Sequence, residues 1–178
     1  MATSTQRPNA IERKPLTVER LREFLHYESE MGEWTRRVKS VRGIGKPGDK
    51  AGYRRSNGRL IIRIDGRNYR AARLAFLYML DRWPAAEVDH KDGNPANDRW
   101  SNLREASPAQ NRWNMKRHRD NASGFKGATW DKRQRKWKAQ IMAHGRKLAI
   151  GSFDSAEAAH EAYKAKALEL FGEFARLE

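Results

Sequence analysis

The stretch Glu87-Val88-Asp89-His90-Lys91-Asp92-Gly93-Asn94-Pro95, carried on through Asn102-Leu103-Arg104 to Asn111, decides how this chain is read. An acidic residue and a histidine close a short apolar run. Gly93, Asn94, Pro95 and Asn97 then make a turn-rich loop, and a strand-like piece follows from Trp100 to Glu105. Ser107-Pro108 opens a helix: serine caps the free N–H groups and proline suits the first helical position. Asn111 falls in the first turn of that helix. The order is strand, loop, strand, helix.

This layout lets Asp89, His90 and Asn111 converge. Asp89 and Asn111 offer hard oxygen ligands of the kind that suit Mg²⁺, or failing that Mn²⁺. His90 leaves the strand on the face opposite Asp89. It is therefore placed to take a proton from water while Asp89 holds a cation, a division of labour that phosphodiester hydrolysis needs. An isolated Asp-His pair is more often a satisfied ion pair at a strand end.

The wider pattern resembles the HNH endonucleases, in the phage and intron homing form where asparagine replaces the last histidine. Asn102 lies 12 residues after His90 and Asn111 lies 9 after Asn102, as in that family. The resemblance implies an α+β chain built on a ββα-metal core. It implies His90 as general base, Asp89 and Asn111 as ligands to one divalent cation, and Asn102 as the residue that ties the loop and orients His90.

The whole chain of 178 residues carries a formal net charge of +15. A chain this basic meets a polyanion, usually nucleic acid. It has no cysteine, which excludes disulfides and the zinc ribbon that braces some HNH proteins. No apolar run is long enough to span a bilayer, and no signal-like apolar segment follows Met1. The expectation is a cytoplasmic protein, acting in a bacterial host cell during phage infection if the resemblance holds. With 38% hydrophobic residues, several small cores are expected rather than one large one.

Residues 1–15 are polar and read as a disordered arm. Residues 16–84 form the lead-in. Thr17 caps a helix expected from Val18 to about Glu30, ended by Gly32. Glu33 to Val38 alternates like a strand around Trp34, and 40–50 is a basic, glycine-rich loop. Asn57-Gly58 and Asp65-Gly66 mark two hairpins. The small sheet they join presents Arg54, Arg55, Arg59, Arg63, Arg67 and Arg70, which suit DNA or plain solvent equally. Ala71 to Leu80 reads as a buried helix. The nuclease core takes 85–118, its helix running from Pro108 to about Arg117 with Arg112 and Lys116 on a basic face. Residues 119–124 are a linker by composition.

From Phe125 the pattern changes. Phe125–Asp131, Lys136–Ala143 and Arg146–Phe153 read as three antiparallel strands. Trp137, Ala139 and Ile141 alternate with Lys136, Lys138 and Gln140. Ser155 caps a helix from Ala156 to about Phe171. Phe125-Lys126-Gly127-Ala128, Trp137-x-Ala139-x-Ile141 and Ile150-Gly151-Ser152-Phe153-Asp154-Ser155-Ala156 resemble the plant ethylene-response-factor (Apetala-two type) DNA-binding domain, in which the sheet lies in the major groove. The resemblance implies DNA contacts from Lys126, Thr129, Arg133, Gln140 and Lys147. Strand geometry and charge add Arg135 and Lys138. Thr129 and Ala149 stand where the plant domains use arginine and tryptophan to reach bases, so the plant sequence preference is not carried over. From Arg112 to Lys147 there are 12 basic residues against 2 acidic ones.

The expected function is a metal-dependent DNA endonuclease that nicks duplex DNA as a monomer or weak dimer. Two rivals share the basic face: a DNA-binding regulator with an inactive nuclease core, and an RNA-binding or structural protein.

Overall fold

Local sequence sets the first elements of the computed structural model, which describes residues 15–39, 45–116 and 121–177. Nearly all of the arm read at 1–15, residues 40–44 of the basic loop, and 117–120 at the junction of core and linker lie outside it. The Thr17 side chain accepts the Arg20 N–H at 3.3 Å and starts α1, Val18–Phe24. The helix stops well short of Glu30. Leu25 and Tyr27 are buried while His26 and Glu28 are exposed, so this stretch forms strand β1, Leu25–Glu28. It pairs antiparallel with β2, Glu33–Arg36, placing Tyr27 opposite Trp34 with the rings stacked at 4.6 Å. Leu21, Phe24 and Leu25 fit a helical spacing, but the cross-strand aromatic pair decides in favour of the hairpin.

Strands β3 (Tyr53–Arg54), β4 (Leu60–Ile64) and β5 (Arg67–Arg70) form an antiparallel sheet in that order. Gly58 (φ +83°) and Gly66 (φ +80°) sit in its two turns, at the hairpin signals. Helix α2 spans Ala71–Leu80 and buries Ala71, Ala72, Leu74, Ala75, Phe76 and Leu77.

The nuclease-like stretch forms β6 (Glu87–His90), a single 3₁₀ turn (Trp100–Asn102), β7 (Leu103–Ala106) and helix α3 (Pro108–Trp113). The strand expected from Trp100 thus begins only at Leu103, because Asn102 is spent on closing the loop. Strands β6 and β7 pair antiparallel, with Asp89 opposite Arg104 and His90 opposite Leu103. Ser107 and Gln110 make a reciprocal capping box at the start of α3. The helix ends at Trp113 rather than near Arg117. Val88 and Leu103 bury in the same apolar cluster as α1, α2 and the β3–β5 sheet, so lead-in and β6–β7 share one core.

The last unit holds β8 (Ala128–Asp131), β9 (Lys136–Ala143) and β10 (Arg146–Phe153), ordered β10-β9-β8, packed on α4 (Ala156–Phe171). The first strand starts later than Phe125. Ala139, Ile141 and Ala143 point into the core with Ala159, Tyr163, Ala167 and Phe171. Trp113, the last residue of α3, stacks on Phe171 with centroids 4.3 Å apart. The fold is α+β: four helices and small antiparallel sheets among the described residues.

Candidate active site

Side chains alternate along β6, so Glu87 and Asp89 face α3 while Val88 and His90 face the lead-in core. Asp89 is buried, at 4% relative exposure. Its Oδ2 accepts from Arg104 Nε at 2.9 Å and from Nη2 at 2.8 Å. The register that sets Arg104 opposite Asp89 creates this pair. Asn114, just beyond α3, donates its amide to Asp89 Oδ1 at 3.1 Å, to Oδ2 at 3.0 Å and to the His90 carbonyl at 2.7 Å. Asn111 lies one turn earlier on the same side of α3. Its amide donates to Glu87 at 2.5 Å, not to Asp89. The asparagine hydrogen-bonded to Asp89 is therefore Asn114, and Asn111 stands beside it.

His90 is buried at 6% exposure, and its Nε2 lies 2.9 Å from Asp98 Oδ1. The imidazole borders a small recess walled by Arg59, Arg70, Pro95 and Asp98. Asn102 closes the loop. Its Oδ1 accepts the Asp92 N–H at 3.1 Å, its amide donates to Asp92 Oδ1 at 3.0 Å and to the Asn97 carbonyl at 2.8 Å, and its carbonyl accepts the Lys91 N–H at 2.9 Å. All four bonds go to loop residues, so Asn102 shapes the loop while Asp98 touches the ring. Burial pushes the Asp92 carboxyl up, but hydrogen bonds from Asn97, the Asn94 N–H and Asn102 outweigh it and hold the group below its ordinary range.

The C-terminal unit reaches this centre. Arg104 Nη1 donates to the Glu173 carbonyl at 2.7 Å, and its guanidinium lies 3.8 Å over the Phe174 ring. Arg176 Nη1 donates to the Asp92 carbonyl at 2.7 Å.

The residues expected on DNA divide. Thr129, Lys138, Gln140 and Lys147 share the outer face of the last sheet by register: Thr129 is opposite Lys138, and Lys147 is opposite Met142, two residues beyond Gln140. Lys138 is ion-paired with Asp131, and Gln140 donates to Thr129 Oγ1 at 3.2 Å. Arg133 and Arg135 are exposed in the turn before β9, and Arg112 and Lys116 are exposed on and just after α3. Lys126 is different. Its Nζ donates to the carbonyls of Met115 (2.7 Å), Arg176 (3.1 Å) and Trp113 (3.4 Å). Burial, with the charge of Arg176 second, brings this ammonium down to about 8. It ties the last unit to the end of α3 through these carbonyls.

Sequence reasoning missed Asn114, Asp98 and the part played by Arg104. Asn111 on α3 and Asn114 at its C-cap are three apart, which puts both on one side. That signal was available. Asp98 had none, because only loop closure brings it to His90.

The Asp89 carboxylate and the amide oxygens of Asn111 and Asn114 suit a hard divalent cation in kind, but here both amides turn their nitrogens, not their oxygens, to neighbouring carboxylates. Asn114 Nδ2 already marks a point where three oxygens converge within 2.7–3.1 Å. No group of three or more histidine, cysteine or acidic residues that could hold a metal ion occurs among the described residues.

The sequence profile described as HNH endonuclease matches residues 69–113, from β5 to the last residue of α3. Protein 3.8 of Escherichia phage T7 is 43% identical over 89 residues, which cover 50% of this chain and 73% of that protein. The chain belongs to the family of phage T7 Protein 3.8. No solved structure matches it significantly. Its HNH domain supports a nuclease, and so a hydrolase, with DNA as the implied substrate; HNH nucleases generally use a divalent metal. No helix among the described residues is long and apolar enough to cross a membrane.

Proposed function

We propose that this member of the Protein 3.8 family is a metal-dependent endonuclease that nicks duplex DNA in the phage-infected cell. The observation that carries the reading is the end of β6. Asp89 and His90 are adjacent, buried and turned to opposite faces, each fixed by its own partners.

Asp89, with Asn111 and Asn114, would hold one Mg²⁺. When bound, the cation would neutralise charge on the scissile phosphate and the leaving oxygen. His90 takes a proton from water as its oxygen bonds to phosphorus and the P–O3′ bond breaks. Asn102 keeps the loop closed beneath His90. Arg59 and Arg70, which wall the recess beside His90, grip the phosphates next to the cut. The outer face of the last sheet, with Thr129, Lys138, Gln140 and Lys147, and the basic turn with Arg133 and Arg135 hold the duplex farther out. Arg112 and Lys116 bridge the two regions. This sheet-first grip is the one implied by the likeness to the plant ethylene-response-factor domain. One such centre cuts one strand per engagement.

A second reading is a DNA-binding protein with an inactive core. It draws support from Asp89, whose carboxylate is taken up by Arg104 and Asn114.

Incubation of supercoiled plasmid or phage DNA with the protein and Mg²⁺ separates the two. Open-circle product that disappears with EDTA and with His90→Ala supports the nicking reading. Tight, salt-sensitive binding with no cleavage of any DNA supports the regulator.

A further inference from the structure

Asp98 is a carboxylate at 2% exposure with one side-chain partner among the described residues, His90. Its second oxygen, Oδ2, is buried with no hydrogen-bond partner among the described residues. A buried carboxylate with half its acceptors empty is costly, and such groups persist where a specific partner needs them. Asp98 is also braced from outside the HNH profile. The Tyr27 hydroxyl donates to the Asp98 carbonyl at 2.6 Å, and the Trp100 N–H donates to the Ser29 carbonyl at 2.9 Å. The β1–β2 turn is pressed onto the 98–99 peptide at Gly32, where a Cβ would lie 2.4 Å from Asp98 C and Arg99 N. The hairpin of the lead-in thus fixes the loop that fixes the carboxylate.

We infer that Asp98 is a positioning residue for His90, holding a proton on Nε2 so that Nδ1 is left bare as the nitrogen that accepts from water. This rests on the reading of His90 as the base. A carboxylate accepting from one imidazole nitrogen selects the tautomer and turns the ring, and the other nitrogen becomes the acceptor. The β1–β2 hairpin is then part of the catalytic apparatus at one remove, because its turn sets where Asp98 stands.

The test has two arms on the full chain. ¹⁵N spectra of the histidine-labelled protein report the His90 tautomer without any cleavage; the expected state is protonated Nε2 and bare Nδ1. Single-turnover nicking with Mg²⁺ is then compared with DNA affinity. Asp98→Ala should slow nicking by up to about 10⁴-fold, the loss seen when a carboxylate that orients a catalytic imidazole is replaced, with DNA affinity held within about twofold. Asp98→Asn preserves volume and should keep the dispersed spectrum of the folded protein even if the alanine variant unfolds; its amide can donate to Nε2 and favour the other tautomer, so its nicking should be slowed as in the alanine variant. Wild-type spectra with Nδ1 protonated would overturn the assignment, as would Asp98→Ala nicking at the parent rate. If instead His90→Ala nicks normally, the base assignment fails, while the spectra still decide whether Asp98 fixes the ring.

Discussion

Replacing Gly32 by alanine tests how firmly the lead-in hairpin bears on the candidate active site. Gly32 has φ +69°, and the added Cβ would meet Asp98 C and Arg99 N at 2.4 Å and Asp98 O at 2.8 Å. These are backbone atoms, so no side chain can swing aside, and relief needs a shift of about 1 Å to reach ordinary contact. The left-handed conformation costs an alanine about 1–2 kcal/mol. Forcing the two backbones apart adds about 1–3 kcal/mol, as overpacking does. Losing the Tyr27–Asp98 or the Trp100–Ser29 hydrogen bond adds about 1 kcal/mol. The expected total is about 3–6 kcal/mol, a large part of the about 5–15 kcal/mol typical of a whole domain. Gly48 is the control: its φ is +91° and nothing lies within 4 Å of an added Cβ. Gly48→Ala should cost only about 1–2 kcal/mol for its positive φ. Urea unfolding followed by tryptophan fluorescence gives both values, since Trp34 and Trp100 belong to this core. Equal losses for the two variants would refute the close approach of the hairpin turn to the 98–99 peptide.

Three further outcomes follow from the geometry. Trp113→Ala removes the half-buried ring stacked on Phe171, should cost about 2 kcal/mol of stability, and should speed hydrogen exchange in Gly172–Phe174; unchanged exchange there would show that this stack does not join the two units. Lys126→Met should leave the salt dependence of DNA binding unchanged because its ammonium is spent on carbonyls, whereas Arg133→Ala should lower the slope of log K against log salt by about 1. The Asp92 carboxyl lies below its ordinary range in the fold, so it contributes stability above the free value of about 3.9 that is lost as pH falls through the folded value. Asp92→Asn should therefore flatten the acid limb of the stability curve, and an unaltered limb would show that the loop network does not favour the ionised form.

Where sequence and structure agree, the determinants are local. Asn57-Gly58 and Asp65-Gly66 set the hairpins because few other residues adopt their turn angles, and Ser107-Pro108 starts α3 because its cap depends on near neighbours only. The last unit was legible strand by strand, since β9 alternates core and surface without a break. The helix read through Glu30 was mistaken because the residue that settles β1, Trp34, lies across the turn from Tyr27. The candidate site divides in the same way. Asp89 and His90 are adjacent in sequence and their opposite faces follow from strand period alone. The partners they find do not: Arg104 reaches Asp89 through strand register, Asn114 through the point at which α3 ends, and Asp98 through closure of the loop.

The C-terminal unit is joined to the nuclease-like core at the residues that matter most to it. Arg104 is held between Asp89 and the Glu173–Phe174 segment, Arg176 reaches the carbonyl of Asp92, and Lys126 gathers the last carbonyls around α3. A guanidinium that satisfies a buried carboxylate and stacks on an aromatic ring of another unit carries strain from one to the other, because neither contact can shift alone. The seating of the last unit on the core thus meets Arg104, the residue that holds the carboxylate a cation would have to share in the proposed function.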